Sequence, residues 1–105
     1  MEAKFEIVFH PQFVADLQNA IEYYELQQIG LGLKFNQTVK DAVDAVCLNP
    51  FYQIRYDNIR CFATKKFPFL LHFEVDENNR IILVHSLVHT SRNPDEYWVK
   101  KKTNQ

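Results

Sequence analysis

Two histidines near the end of the chain have the clearest potential for chemistry. His85 and His89 stand four residues apart, and on a strand this spacing places both side chains on one face. Two imidazoles on one face can act as a general acid and a general base. His72 is a candidate for the same face from a neighbouring strand. The alternative, that the rings only flank the sheet with their edges in solvent, stays open.

An arginine and two aromatic residues follow these histidines. Arg92 lies close in sequence to Tyr97 and Trp98, and an arginine beside aromatic rings suits contact with a phosphate or a base. The alternative is that Tyr97 and Trp98 close the open end of the core, while Arg92 bonds a carboxylate or a helix C-terminus. Other basic residues stand on or near the predicted strand ends: Arg60, Lys65, Lys66 and Arg80.

Hydrophobic spacing predicts the elements that position these residues. Phe5, Ile7 and Phe9 stand at every second position, which places their side chains on one face of a half-buried strand. Apolar residues then recur at helical spacing up to Gly30, a residue that favours the left-handed conformation at the end of a helix. A second helical pattern follows and ends before Pro50, because the residue before a proline is disfavoured in a helix. The predicted order is a strand over 4–9, helices over 11–29 and 31–48, and strands over 59–65, 69–75 and 80–88.

The order β-α-α-β-β-β predicts an α+β fold in which a helical hairpin packs on a small antiparallel sheet. The segment after Pro50 is predicted to be a connector, and residues 76–79 a hairpin turn in which Asn tolerates positive φ. The last strand is apolar on both faces, which favours a position inside the sheet.

Length and composition limit the class of protein. The chain has 105 residues, of which 47% are apolar, which predicts one domain over 1–105 and excludes disordered and low-complexity classes. No apolar run approaches the ~18 residues of a membrane span. The N-terminus lacks the pattern of a secretion signal, so we expect a cytoplasmic protein. The tail over 100–105 is expected to fray in solvent.

Motifs of several catalytic classes are missing. The sequence contains no dinucleotide fingerprint, Walker loop or nucleophile elbow. Cys47 and Cys61 fit no zinc-ligand spacing, and we interpret both as structural cysteines. We therefore expect no metal and no cofactor.

Charge is distributed unevenly along the chain. Residues 1–50 contain three Lys or Arg against seven Asp or Glu, whereas residues 51–105 contain nine against six. An anionic partner would therefore meet the second half. The formal net charge of −1 argues against a protein coated by nucleic acid. Small domains also show such imbalance by chance, so both interpretations stay open.

Four stretches together resemble the RelE/ParE toxin superfamily of bacterial type II toxin–antitoxin systems. They are Ala15-Asp16-Leu17 with Ala20 to Glu25; Gly30-Leu31-Gly32 with Phe35; Asn49-Pro50; and Phe67-Pro68-Phe69 with His89 to Pro94 and Trp98. The resemblance covers nearly the whole chain and is closer to the ParE-like branch. It implies the same β-α-α-β-β-β fold.

The resemblance implies a plasmid-stabilisation-type toxin that inhibits growth by binding a macromolecular target such as DNA gyrase. The alternative is a RelE-like endoribonuclease that cuts mRNA on the ribosome. In that case Arg60 and Arg92 would contact phosphate, and His89 or Tyr97 would transfer protons. Many ribonuclease members carry an arginine early in the third strand, where this chain has Pro68-Phe69-Leu70, which favours the first activity. A further alternative is a non-toxic member that retains only antitoxin binding.

The resemblance also implies a cognate antitoxin, whose C-terminal segment wraps family toxins as a helix and an extended strand. Such antitoxins are usually acidic, which suits the basic second half. Candidate residues for binding the antitoxin or the target are Tyr23, Phe51, Tyr52, Lys65, Lys66 and Trp98. Tyr24 is interpreted instead as sealing the helical hairpin against the sheet. No membrane partner and no small-molecule substrate are expected.

Overall fold

The structure is a computed structural model and describes residues 5–91. Seven elements follow one another in this part of the chain. They are β1 (Glu6–Phe9), α1 (Pro11–Gln27), α2 (Leu31–Leu48), β2 (Ile54–Tyr56), β3 (Ile59–Ala63), β4 (Phe69–Asp76) and β5 (Ile81–His89). The predicted α+β fold is confirmed. The predictions on the tail over 100–105 lie outside the described residues.

The five strands form one sheet in the order β1-β5-β4-β3-β2. β5 therefore lies inside the sheet, as its apolar faces predicted. The sheet is mixed rather than wholly antiparallel, because β1 pairs with β5 in parallel register. No turn connects these two strands, so nothing local in the sequence fixes their relative direction.

One strand lies where the sequence predicted a connector. β2 pairs with β3 through Ile54 opposite Arg60 and Tyr56 opposite Ile59. Asp57 and Asn58 between them both have positive φ, 43° and 67°, which is the conformation of a two-residue hairpin turn. In the later turn the positive φ falls on Arg80, at 56°, and not on an asparagine.

The two helices form a tight hairpin. α1 begins at Pro11 and ends at Gln27, two residues before the predicted Ile29, while α2 has the predicted bounds. Gly30 between them has a φ of 90°. The Glu25 carboxylate reaches across the turn and accepts hydrogen bonds from the N–H groups of Gly30 and Gly32, at 2.9 and 3.0 Å. A carboxylate at this position also interacts favourably with the N-terminal end of the α2 dipole.

Both helices pack on one face of the sheet, which we call the helix face. Phe35 and Val46 of α2 and Phe73 and Val84 of the sheet are fully buried in this core. Neither helix of residues 5–91 is long and apolar enough to cross a membrane.

A β-bulge interrupts the pairing of β4 with β5. His72 pairs with Ser86 and the next residue, Phe73, pairs with Val84, so His85 is an extra residue on β5. A bulge of this kind shifts the alternation of side chains by one residue. The two halves of β5 therefore present their side chains with opposite phase.

Candidate functional site

The end of β5 and one side of α1 enclose a cleft, which we call the His89 cleft. Its volume is about 350 Å³. It is lined by Asp16, Asn19, Ala20, Tyr23, Tyr24, Phe69, Leu87 and His89. Tyr24 packs its ring against Phe35, Phe67 and Phe69, as expected for a residue that seals the hairpin, and burial raises its pKa. Tyr23 is 59% exposed at the rim. The cleft thus combines an aromatic floor with a polar rim.

Asp16 fixes the position of the cleft's two walls. One carboxylate oxygen accepts a hydrogen bond from the backbone N–H of Leu87 at 3.0 Å, and the other accepts from the Gln12 side chain at 2.8 Å. Leu87 lies just beyond the bulge, where the ladder is interrupted. The carboxylate therefore satisfies a main-chain donor and joins α1 to β5 at the same time.

His89 is exposed at the end of β5, and its ring contacts the ring edge of Phe69 at 5.1 Å between centroids. Its Nδ1 accepts a hydrogen bond from the Ser91 N–H at 3.0 Å and lies 2.7 Å from the Ser91 hydroxyl. A nitrogen that accepts from a backbone N–H carries no proton of its own, so neutral His89 carries its proton on Nε2. His89 is thereby oriented as a hydrogen-bond donor toward an incoming group.

The other two histidines of the sheet do not join this cleft. His85 lies 3.0 Å from Glu74 and stacks near His10, on the face away from the helices, because the bulge changes the phase between it and His89. The expectation that His85 and His89 share a face is therefore wrong. His72 is fully buried, with its Nδ1 2.9 Å from the Tyr56 hydroxyl.

A second group of functional candidates lies toward the opposite end of the sheet. We call it the Arg60 cluster, and it consists of Phe5, Phe51, Arg60 and Arg80. The Arg60 guanidinium lies over the Phe51 ring at 5.4 Å, and the Arg80 guanidinium lies over the Phe5 ring at 4.1 Å. The two phenylalanine rings meet edge to face at 5.9 Å. The cluster is therefore an alternating series of cations and aromatic rings.

Tyr52 lies next to this cluster and packs against Phe62 and Phe73 on the helix face. Phe51 is 53% exposed and lies in the segment between α2 and β2. Two nitrogen atoms of Arg60, Nε and Nη1, are shielded from solvent and have no hydrogen-bond partner among the described residues. Shielded, unpaired guanidinium N–H groups are costly, so they require an explanation.

The structure does not bring Arg60 and His89 together. Arg60 pairs with Phe73 and His89 pairs with Phe69, four residues away on β4, which is roughly 13 Å along the strand. Arg60 and His89 also lie on strands separated by β4. Tyr23 and His89, for which different roles were predicted, line one cleft. Arg92, Tyr97 and Trp98 lie outside the described residues.

Lys65 and Lys66 lie in the turn between β3 and β4. Lys66 has a φ of 70°, and the turn is closed by the Thr64 hydroxyl, which donates to the Phe67 carbonyl at 2.8 Å. Both lysines line a separate cleft of about 310 Å³ against Thr38 and Asp41 of α2. They therefore belong to neither of the two groups above.

An apolar groove lies beside the free edge of β1, and we call it the β1 groove. Its volume is about 370 Å³. It is lined by Ile7, Phe9, Phe13, Leu17, Asn36, Val39, Lys40, Val43 and Asp44. Within residues 5–91, β1 pairs with β5 on one side only, so in this part of the chain its other edge offers unpaired main-chain groups next to an apolar surface.

The cysteines are buried thiols rather than ligands of a common site. Burial raises the pKa of Cys61 to about 11, and it also raises the pKa of the half-buried Cys47. Within residues 5–91 no three His, Cys, Asp or Glu residues lie close enough to hold a metal ion.

Sequence reasoning missed Asp16 and Phe5. Asp16 is an acidic residue on a helix face that otherwise packs on the sheet, a signal that an unpaired donor lies opposite it. Phe5 gave no such signal, because its contacts with Phe51 and Arg80 depend on strand pairing far along the chain.

Residues 7–94 match the family model of the ParE toxin of the type II toxin–antitoxin system parDE. No curated protein matches the sequence.

Three solved structures are similar to this chain. The chromosomal ParDE toxin–antitoxin system of P. aeruginosa is 19% identical, with a TM-score of 0.68, covering 81% of this chain and 95% of that one. The isolated RelE toxin of E. coli is 13% identical, with a TM-score of 0.62, and the match covers 96% of this chain and 99% of that one. The RelBE2 toxin–antitoxin complex of Mycobacterium tuberculosis is 12% identical, with a TM-score of 0.56, covering 83% and 99%. At these identities the likeness concerns the fold alone.

Proposed function

The chain belongs to the ParE toxin family of type II toxin–antitoxin systems, and on this premise we propose that it inhibits bacterial growth by binding a macromolecular target. It acts as a single toxin domain in the cytoplasm, and a cognate antitoxin neutralises it. DNA gyrase is the first target to test.

The observation that carries this proposal is the β1 groove. An unpaired strand edge next to an apolar groove suits a partner that adds one strand and lays one helix on the toxin, which are two common modes of peptide recognition. Phe9 is 42% exposed at the β1 groove and provides an aromatic anchor. Both features support neutralisation by an antitoxin segment.

The arrangement of the charged residues supports binding rather than cleavage as the toxic activity. Phosphodiester cleavage needs an acid, a base and a cation within reach of one phosphate. Arg60 and His89 are separated by about four residues of strand and by one intervening strand. These two residues therefore cannot reach one phosphate together.

A second candidate function is mRNA cleavage of the RelE type. One observation favours it: Ser91 bonds the Nδ1 atom of His89, and His89 and Tyr23 line one cleft. In this function His89 would be the proton donor and Tyr23 a stacking ring.

Induced expression of the toxin alone separates these functions. We expect growth to stop, with DNA synthesis falling before RNA and protein synthesis, and we expect the purified chain to inhibit gyrase supercoiling. An early fall in protein synthesis that His89→Ala abolishes would instead support the ribonuclease. A folded chain that leaves growth unchanged would mean that only antitoxin binding is retained.

Co-expression with the protein encoded beside this gene tests neutralisation. We expect rescue of growth with the wild-type toxin. Phe9→Asp should weaken the complex about tenfold or more, because it places a charge at an apolar anchor. Val14→Asp is the matched control: Val14 is 41% exposed on α1 and does not line the groove. Equal loss in both variants would argue against the β1 groove as the docking site.

A further inference from the structure

Arg60 has guanidinium N–H groups that its surroundings within residues 5–91 leave without hydrogen-bond acceptors. Its Nε and Nη1 atoms are shielded from solvent, and they have no hydrogen-bond partner among the described residues. Its Cζ lies 5.4 Å from the centroid of the Phe51 ring, and an aromatic ring offers a cation no oxygen acceptor. The fold therefore holds a donor set for which residues 5–91 supply no acceptor.

From this we propose that Arg60 is the anchor for a carboxylate of an acidic peptide segment, with Phe51 as the side chain that turns aside to admit it. The inference rests on the proposed function, because the acidic segment is part of the antitoxin. Arginine is the side chain best suited to a carboxylate, since its planar donors match two oxygen atoms.

The surface around Arg60 suits a peptide. Phe51, Tyr52 and Ile54 form an exposed apolar margin next to it, with exposed fractions from 36% to 53%. Apolar residues on either side of an acidic one would pack on this margin while the carboxylate reaches the guanidinium. Phe51 is able to move aside because it lies outside the helices and strands and is half exposed.

The charges at this end of the sheet disfavour a nucleic acid. Glu6 begins β1, Asp57 lies in the turn before β3, and Asp76 and Glu77 lie in the turn after β4. All four are exposed. These carboxylates repel any added negative charge, but they repel a polyphosphate chain, which is charged at every phosphate, more strongly than a peptide with a single carboxylate paired to Arg60.

Arg60→Met gives the most informative variant. It removes the unpaired cation and keeps a similar side-chain length, so we expect the midpoint of thermal unfolding to stay equal or rise. The probe is the protein encoded beside this gene, tiled as overlapping peptides, with affinity measured by calorimetry. We expect Arg60→Met to weaken the binding peptide about 10- to 100-fold.

The matched control is Arg55→Met, since Arg55 is exposed on β2 and its side chain makes no hydrogen bond or ion pair with another residue of 5–91. It should change affinity less than about fivefold. One acidic residue of the peptide should pair with Arg60, and replacing it by its amide should abolish the difference in peptide affinity between the wild type and Arg60→Met. Replacing any other acidic residue of the peptide by its amide should leave that difference in affinity unchanged.

Three results would overturn the inference. One is equal peptide affinity in the wild type and Arg60→Met. Another is a lowered unfolding midpoint in Arg60→Met, which would give Arg60 a structural role. The third is a wild-type chain that binds a poly(rA) oligonucleotide through Arg60 and binds no peptide. Failure of the wild type to bind any tile would overturn the proposed function as well, whereas the first two results would leave that function standing.

Discussion

The two ends of the sheet treat their polar groups in opposite ways. At the His89 cleft, Asp16 accepts two hydrogen bonds and His89 accepts from Ser91. In the Arg60 cluster, the cations lie on aromatic rings, and two guanidinium nitrogens have no acceptor among residues 5–91. One end is completed by the chain itself, and the other is arranged to be completed by something else.

This difference separates groups that stabilise the fold from groups that await a partner. A satisfied buried network makes the fold rigid and unique, whereas an unsatisfied group lowers stability and is retained only for another benefit. Substitutions at the His89 end should therefore act mainly on folding, and substitutions at the Arg60 end mainly on binding.

The largest expected effect compares two phenylalanines. Phe35 is fully buried among Tyr24, Phe67 and Phe69, so Phe35→Ala should lower the free energy of unfolding by about 3–5 kcal/mol. Phe51 is half exposed, and Phe51→Ala should cost less than about 1 kcal/mol. Urea denaturation of both variants measures the difference, and similar losses at the two sites would break the comparison.

A smaller effect is expected at Asp16. Asp16→Ala leaves the Leu87 N–H without its acceptor and should lower the free energy of unfolding by about 1–3 kcal/mol. Asp41→Ala is the control, because among the described residues the Asp41 carboxylate accepts a hydrogen bond only from Gln37, on an exposed helix face. This substitution should change the free energy of unfolding by no more than about 0.5 kcal/mol. A loss at Asp41 as large as that at Asp16 would show that the bond to β5 contributes little.

The smallest effect concerns pH at the Arg60 end. Hydrogen bonds from the side chain and the backbone N–H of Asn79 lower the pKa of Asp76 below its ordinary value. The associated stability is therefore present above that ordinary value and is lost as pH falls through the lower, folded value.

Removal of the Asn79 side chain tests this. Asn79→Ala should raise the pKa of Asp76 in a carboxyl NMR titration, and its stability difference from wild type should vanish in acid. Asn78→Ala is the control, because no side-chain hydrogen bond from Asn78 to Asp76 contributes to the shift. An unchanged Asp76 titration in Asn79→Ala would contradict the prediction.

Local patterns predicted the two helices and four of the five strands. Pro50 limits α2 as expected, whereas Gly30, predicted to cap the end of α1, caps the start of α2 in its left-handed conformation, and α1 ends earlier at Gln27. β2 was missed although Asp57-Asn58 is a usable hairpin signal, since a strand of three residues is too short to show alternation. The parallel pairing of β1 had no local signal at all.

The candidate site was less predictable than the fold. A spacing of four residues placed His85 and His89 on one face only if β5 was regular, and nothing in the pattern shows where an extra residue enters a ladder. Arg60 was singled out as a cation, but its lack of an acceptor depends on how Phe51 and the sheet close around it. Which charges meet is a property of register, and register is set across strands.

The bulge at His85 also has a consequence for relatives of this chain. Deleting that one residue would restore strict alternation while leaving Leu87 opposite Leu71 and His89 opposite Phe69, so that both residues would still face α1. A relative whose last strand has no bulge would show a one-residue gap at His85 when the two sequences are aligned. Residues aligned with each other beyond that gap would still face the same side of the sheet. The bulge residue can therefore be lost without changing the surface that the end of this strand supplies, whereas a one-residue shift of the pairing with β4 would exchange the two faces.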